Sequence, residues 1–283
     1  MRIDLHAHTT CSDGTLTPAE LVRLAWQRGL GALAVTDHDT TAGLAEAHRV
    51  GAELGVEILD GCEVTALLPS GIAHVLAYGF DVESARFQGL LERVRKGRDQ
   101  RNGIILGKLE ALGVAVDYDS VCRHAAGEVV ARPHIAAAMV EQGHVDDLRE
   151  AFQRFLKDGG AAYAEAPVPP AAEVVEEIVA AGGVAVLAHP RSLRMGSRRA
   201  YRQVFLDLKA AGLAGIEVHH PSQDSNMRRM FESLAVELDL VVSAGSDFHG
   251  STKPHLELGT GDGTIEVTYA TWKALHARRR EAA

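Results

Sequence analysis

The sequence predicts an α/β fold, a barrel of parallel strands wrapped by outer helices and interrupted by a helical insert. Three observations lead there. Short apolar, β-branched runs alternate with helical stretches in the first 80 residues and again after about 170. Between about 82 and 165 helical patterns continue, but no convincing barrel strand is found. Run after run ends in a His, Asp or Glu, and a parallel barrel brings all its strand C-termini to one face.

Residues 2–5 read as a short buried strand leading into His6-Ala7-His8. Side chains of a strand alternate faces, so His6 and His8 share one side, a pleat apart. Asp13, in the Ser12-Asp13-Gly14 turn, is close enough to fold back over the strand end. An isolated His-x-His is as readily a polar pair satisfied by backbone carbonyls; the remaining strand ends decide the matter. Thr17 and Pro18 open a helix that Gly29 stops. Strand 32–36 ends in Asp37-His38-Asp39, helix 41–54 closes at Gly55, and strand 56–59 leads to Gly61-Cys62-Glu63. Strand 71–78 carries His74 in its middle.

Helices at 84–112, 134–142 and 146–157, punctuated by Asp117-Tyr118-Asp119 and Gly127-Glu128, form the expected insert of residues 82–165. Pro167, Pro169 and Pro170 mark the return to the main body, which comprises 1–81 and 166–283. Helix 171–181 feeds strand 184–188, ending in His189-Pro190. Helix 200–211 feeds strand 214–218, ending in His219-His220-Pro221. Helix 226–238 feeds strand 240–244, followed by Gly245-Ser246-Asp247-Phe248-His249. Arg278-Arg279-Arg280 reads as a solvated helix end.

A formal charge of −9 argues against broad binding to duplex DNA or anionic membranes. It leaves an anionic small substrate open, because ions neutralise carboxylates gathered at a metal site. Cys11, Cys62 and Cys122 are odd in number and lack a CxxC spacing, so reduced thiols in a cytoplasmic protein are expected. No basic or apolar leader precedes the first strand, and no run is long enough to span a bilayer. The composition is silent on oligomeric state.

The metal-capable strand ends are His6/His8, His38, Glu63, His74, His189 and Asp247/His249. Structural histidines have no reason to gather at the same end of successive strands. With Asp4-Leu5-His6-Ala7-His8, Thr36-Asp37-His38, Gly61-Cys62-Glu63, Ala188-His189-Pro190 and Gly245-Ser246-Asp247-Phe248-His249 in place, the chain resembles the polymerase and histidinol phosphatase (PHP) domain family. The resemblance implies a distorted, TIM-like (β/α)7 barrel and metal ligands at His6, His8, Asp13, His38, Glu63, His74, His189, Asp247 and His249. It further implies two or three divalent ions, with Mn²⁺ the first expectation and Fe²⁺ or Zn²⁺ equally suited to mixed nitrogen and oxygen donors. Glu63 would bridge. On ligand count, His6, His8, Glu63 and Asp247 form one site, His74 and His189 share Glu63 in a second, and Asp13, His38 and His249 hold a third.

The implied reaction is phosphoester hydrolysis by activated water, with Asp247, His249 and His189 as catalytic candidates. Two other readings compete. Amidohydrolases acting on C–N bonds also begin with His-x-His, but many bridge their metals with a carboxylated lysine; the six lysines here (96, 108, 157, 209, 253 and 273) avoid the predicted strand ends. A non-catalytic metal-binding module would not need a complete ligand set. Within the phosphoesterases, Ala131-Arg132-Pro133-His134 resembles the branch that hydrolyses nucleoside 3',5'-bisphosphates and trims short oligoribonucleotides from the 5' end. Histidinol phosphate is the alternative substrate. Arg132 offers a fork suited to phosphate, and Arg98, Arg101 and Asn102 share a helix face. With His134, these are the substrate-binding candidates.

Overall fold

A computed structural model of the chain describes residues 1–125, 127 and 129–281. Glu128 and the side chain of Arg280, both named above, lie outside the described residues. Seven strands pair in sequence order: β1 (Ile3–Asp4), β2 (Ala32–Val35), β3 (Glu57–Leu68), β4 (Gly71–Tyr78), β5 (Val184–Leu187), β6 (Gly215–His219) and β7 (Val241–Ala244). The ring nearly closes, because Ala7 bridges Phe248 in parallel and the His8 N–H donates to the Phe248 carbonyl at 2.9 Å. The first strand is shorter than the sequence reading. Past Asp4 a side chain enters the pairing: the Ala7 N–H donates to Thr36 Oγ1 at 3.0 Å, while the Thr36 N–H donates to the Ala7 carbonyl at 2.9 Å.

The sheet is not uniformly parallel, as the sequence reading expected: β4 runs antiparallel to both β3 and β5. Leu68 pairs with Gly71, so only Pro69 and Ser70 separate the strands, and a two-residue turn can join only antiparallel neighbours. Gly71, at φ +118°, supplies a conformation that other residues rarely adopt. This reversal is why His74, in mid-strand, reaches the ligand face: it pairs with Thr65, two residues beyond Glu63.

The helices are α1 (Pro18–Gln27), α2 (Leu44–Leu54), α3 (Ala85–Ala111), α4 (Tyr118–His124), α5 (Arg132–Glu141), α6 (Leu148–Ala151), α7 (Ala171–Ala180), α8 (Arg198–Ala210), α9 (Ser225–Glu237) and α10 (Tyr269–Glu281). The stretch read as one helix over 146–157 is α6 followed by a π-helical turn, Phe152–Leu156. Thr17 and Glu20 close a reciprocal cap on α1. Alternation along the strands divides the core. Ile3, Ala32, Ala34, Leu76, Tyr78, Val184 and Val186 join Trp272 and Leu275 of α10, whereas Leu33, Val35, Val75, Ala77, Ala185 and Leu187 pack with the outer helices.

A third apolar cluster lies wholly within residues 105–164. Helix α3 serves both bodies: Phe87, Leu90, Leu91 and Val94 belong to the outer barrel layer, and Ile105 and Leu109 to the third cluster. Between these two apolar zones, α3 buries Arg98, Arg101 and Asn102.

Candidate metal centre

Each strand end delivers its side chains through a local brace. Asp37 at the end of β2 accepts from the Thr9 N–H (2.7 Å), Thr9 Oγ1 (2.6 Å) and Ser12 Oγ (2.6 Å), which fixes the turn carrying His8 and Asp13. Pairing of β2 and β3 continues to a bridge between His38 and Glu63. Asp4 accepts from the Ser246 N–H at 3.1 Å and the Gly259 N–H at 2.7 Å, tying β1 to the segment of Asp247. Glu217 on β6 faces His6 Nδ1 at 2.9 Å and accepts from the His189 N–H at 2.8 Å. Asp39, His189 and Asp247 adopt positive φ values of 55°, 24° and 52°. Such conformations in non-glycine residues persist where the surroundings over-determine them.

Glu63 lies at the middle. Its Oε2 faces His6 Nε2 (3.3 Å), His8 Nε2 (3.2 Å) and His38 Nδ1 (3.2 Å), while Oε1 faces His74 Nδ1 (3.0 Å) and His189 Nε2 (2.9 Å). Asp247 Oδ1 lies 3.5 Å from both His6 Nε2 and His8 Nε2. Asp13 Oδ1 lies 3.2 Å from His249 Nε2, and Asp13 Oδ2 lies 3.9 Å from His38 Nε2. The nine positions named from the sequence thus converge. Burial opposes charge on Glu63, yet the imidazoles of His38, His74 and His6 hold its carboxyl well below the usual range. Burial likewise works against a charged His8, but Asp247 and Glu63 carry it up to about 9.

The donor set fits divalent ions. The buried His6 Nε2, His8 Nε2, His38 Nδ1, His74 Nδ1 and Asp13 Oδ1 have no hydrogen-bond partner, although buried polar atoms are ordinarily satisfied. Ligating atoms of His8, Asp13, His38 and His249 lie within 4.8 Å of one another, as do those of His6, Glu63 and His189 and those of His38, Glu63 and His74. Four or fewer imidazole and carboxylate donors at such spacing is what an ion requires.

The substrate candidates fare differently. Arg98 is committed to a brace: its Nε donates to Asp39 and its Nη2 to Thr65 Oγ1 at 2.6 Å. Asn102 accepts from Arg101 at 2.9 and 3.2 Å and donates to the Val130 carbonyl at 2.9 Å. His134 Nδ1 accepts the Ala131 N–H at 3.1 Å, at the start of α5. Arg101 and Arg132 line a cleft of about 170 Å³ with Tyr163, and Arg132 lies over the Tyr163 ring at 6.0 Å. That cleft shares Asp13, His38, His74, Pro133 and Phe152 with the cavity of about 460 Å³ over the metal ligands.

Sequence reasoning missed four residues. Lys253, set aside with the other lysines, places Nζ 2.6 Å from Asp247 Oδ2, because a short 3₁₀ turn after His249 folds the chain back over the centre. His220 Nε2 lies 3.3 Å from the same oxygen. Glu217 was visible only as a carboxylate within an apolar strand. Phe152 lines both cavities from the π-helical turn, which no periodicity announces.

A barrel whose mouth gathers unpartnered imidazoles and carboxylates, with arginines alongside, defines a metal-dependent phosphoesterase. The chain belongs to the PHP domain family, whose model matches residues 4–179. It is 35% identical over 272 residues to a 5'-3' exoribonuclease of Haemophilus influenzae, covering 96% of this chain and 98% of that one. It is 35% identical over 277 residues to a 3',5'-nucleoside bisphosphate phosphatase of Chromobacterium violaceum, covering 98% and 97%. A solved structure of a metal-dependent phosphoesterase from Bifidobacterium adolescentis superposes with a TM-score of 0.87 at 31% identity, covering 98% of this chain and 96% of that one. Among the described residues no helix is long and apolar enough to cross a membrane.

Proposed function

We propose that the protein hydrolyses the 3'-phosphate of nucleoside 3',5'-bisphosphates and also shortens oligoribonucleotides from a phosphorylated 5' end, in the cytoplasm and with Mn²⁺. The observation that carries this reading is the shared wall between the two cavities. A phosphoryl group over the metal ligands and a second anionic group beside Arg101 and Arg132 would lie in one continuous cleft. The substrate named for the Chromobacterium violaceum relative, a nucleoside 3',5'-bisphosphate, carries two phosphates that such a cleft would accommodate.

Under this reading His6, His8, Glu63 and Asp247 would hold one ion, His74 and His189 would share Glu63 for a second, and Asp13, His38 and His249 would hold a third. Bound ions polarise the phosphoryl oxygens and activate the attacking water. The protein's own residues do the rest. Glu63 presents Oε2 to His6, His8 and His38 and Oε1 to His74 and His189, so it could serve two sites at once. Arg132 and Arg101 bind and orient the remote phosphate. Phe152 and Pro133 supply apolar wall to both cavities. His189, with Nδ1 3.3 Å from Ser192 Oγ, is held at the cavity wall, and His249 faces Asp13 across it.

The test is a hydrolysis screen of the Mn²⁺-loaded protein that reads phosphate release from adenosine 3',5'-bisphosphate, adenosine 3'-monophosphate and histidinol phosphate, and mononucleotide release from 5'-phosphorylated short RNA. The bisphosphate should exceed the monophosphate by at least tenfold in kcat/KM. Preference for histidinol phosphate, or indifference to the 5'-phosphate, would overturn the assignment.

A further inference from the structure

A ring nitrogen's partner decides which nitrogen of a neutral histidine carries the proton. At His6, Nδ1 faces Glu217 Oε1 at 2.9 Å, and at His249 it faces the Asp247 carbonyl oxygen at 2.8 Å. Both partners only accept, so the proton sits on Nδ1 and Nε2 keeps a lone pair for an ion. His220 is built the other way round. Its Nδ1 accepts the Ser222 N–H at 3.0 Å, with Ser222 Oγ at 2.8 Å. A nitrogen that accepts a backbone N–H carries no proton, so the neutral ring bears its proton on Nε2.

That Nε2 is buried and makes no hydrogen bond of acceptable geometry, and the carboxylate oxygen it faces, 3.3 Å away, is Asp247 Oδ2. Lys253 Nζ reaches the same oxygen at 2.6 Å. Neither an imidazole N–H nor an ammonium has a lone pair to offer an ion. The opposite oxygen of Asp247 is the one that faces His6 Nε2 and His8 Nε2, at 3.5 Å each. By proximity alone His6, His220 and Asp247 also form a ligand group. The proton positions argue against it.

We propose that His220 and Lys253 form a two-donor clamp on Asp247 Oδ2, so that Asp247 offers Oδ1 alone to the ions and His220 is not a tenth ligand. This rests on the metal-centre reading above. Hydrogen-bond partners of metal ligands typically tune affinity 10- to 100-fold without changing the number of ions. Both clamp residues are therefore positioning residues. Their arrangement also explains why a lysine is tolerated among ligands that need ions: it neutralises the carboxylate oxygen left over.

Elemental analysis and competition titration of the Mn²⁺-equilibrated protein test the clamp, using His220→Gln, His220→Phe and Lys253→Met. All three should take up the same number of ions as the unaltered protein at saturation. His220→Phe and Lys253→Met should bind the weakest ion 10- to 100-fold less tightly, and His220→Gln, which restores an N–H donor, should recover most of that loss. The visible spectrum of the Co²⁺-loaded His220→Gln protein should match that of the unaltered protein. Loss of one ion in both His220 variants would make His220 a ligand and overturn the proposal. Unchanged affinity in both His220→Phe and Lys253→Met would remove the clamp. Failure of the unaltered protein to bind any divalent ion would instead overturn the metal centre itself. Lys253→Met keeps the test decisive should His220→Phe fold poorly, as judged by its circular dichroism.

Discussion

Replacing Arg101 by methionine should make the protein more stable and a poorer enzyme. Arg101 is 6% exposed, and its two guanidinium hydrogen bonds run to a neutral amide, Asn102 Oδ1. Burial, and then the charges of Arg98 and Arg132, pull its pKa from the usual 12.5 to about 9. At ~1.4 kcal/mol per pKa unit, this corresponds to a penalty on the order of 5 kcal/mol for holding the charge in the folded state. The two hydrogen bonds to Asn102 offset about 1 kcal/mol each, so methionine should gain about 1–3 kcal/mol in urea denaturation. The folded pKa is depressed, so the unfolded chain binds the proton more tightly. The penalty is fully present below about pH 9 and shrinks as pH rises from there, which makes the gain constant between pH 6 and 8. In kinetics the same change removes a charge-assisted contact worth about 1.5–3 kcal/mol. kcat/KM for the 3',5'-bisphosphate should fall about 10- to 150-fold, and that for the 3'-monophosphate should barely move. A destabilised variant, or equal losses on both substrates, would refute the reasoning.

Arg132→Ala should lower kcat/KM on the bisphosphate about 10- to 150-fold, with unchanged metal content and a much smaller loss on an aryl phosphate; equal losses would place Arg132 in the chemistry. His8→Ala or Asp247→Ala should abolish activity and metal uptake together, as elemental analysis after dialysis would report. A Cβ on Gly245 would overlap the His6 Cβ and lie 2.9 Å from Glu217 Oε1, so Gly245→Ala should displace His6 and cost metal affinity even though no ligand is removed. Ions at about 100 times their dissociation constant add ~2.7 kcal/mol, so chelation should lower Tm by about 5–10 °C, and an unchanged melting curve would count against a folded-state metal centre.

The convergence of the candidate ligands was legible in the sequence because most of them sit at or near the end of an apolar run, where a barrel has one meaning for position. His74 is the instructive case. It lies within a strand, and only the two-residue turn at Pro69 and Ser70, which reverses β4, explains its place at the centre. Lys253 and His220 were illegible for the opposite reason. Each comes from a loop beyond a strand end, and loop paths are set by contacts such as the 3₁₀ turn at Gly250–Thr252, not by periodicity. Arg98 and Asn102 were legible as buried-face residues of a helix, but not by role. Spacing puts side chains on a face, whereas their partners, Asp39 and the Val130 carbonyl, are 59 and 28 residues away.

The role of Arg98 bears on how two phosphates are measured. An enzyme that reads a second phosphate needs its arginines at a fixed distance from its ions, and here the arginines come from the segment between β4 and α7 whereas the candidate ligands come from the barrel. Arg98 joins them. It donates from α3 to Asp39, which follows the ligand His38, and to Thr65, two residues past Glu63. Asp39 in turn accepts the Thr65 N–H at 2.6 Å and is held at φ +55°. Arg95 adds a bond to the Asp39 carbonyl at 2.9 Å. From Arg98 it is one turn of α3 to Arg101 and Asn102, and Asn102 carries the linkage on to Val130, two residues before Arg132. Hydrogen bonds joined by short stretches of backbone therefore run from the neighbours of the candidate ligands His38 and Glu63 to the segments that carry both arginines of the cleft. Under the proposed function Arg98 would belong to the ruler, and Arg101 and Arg132 to the mark that it sets.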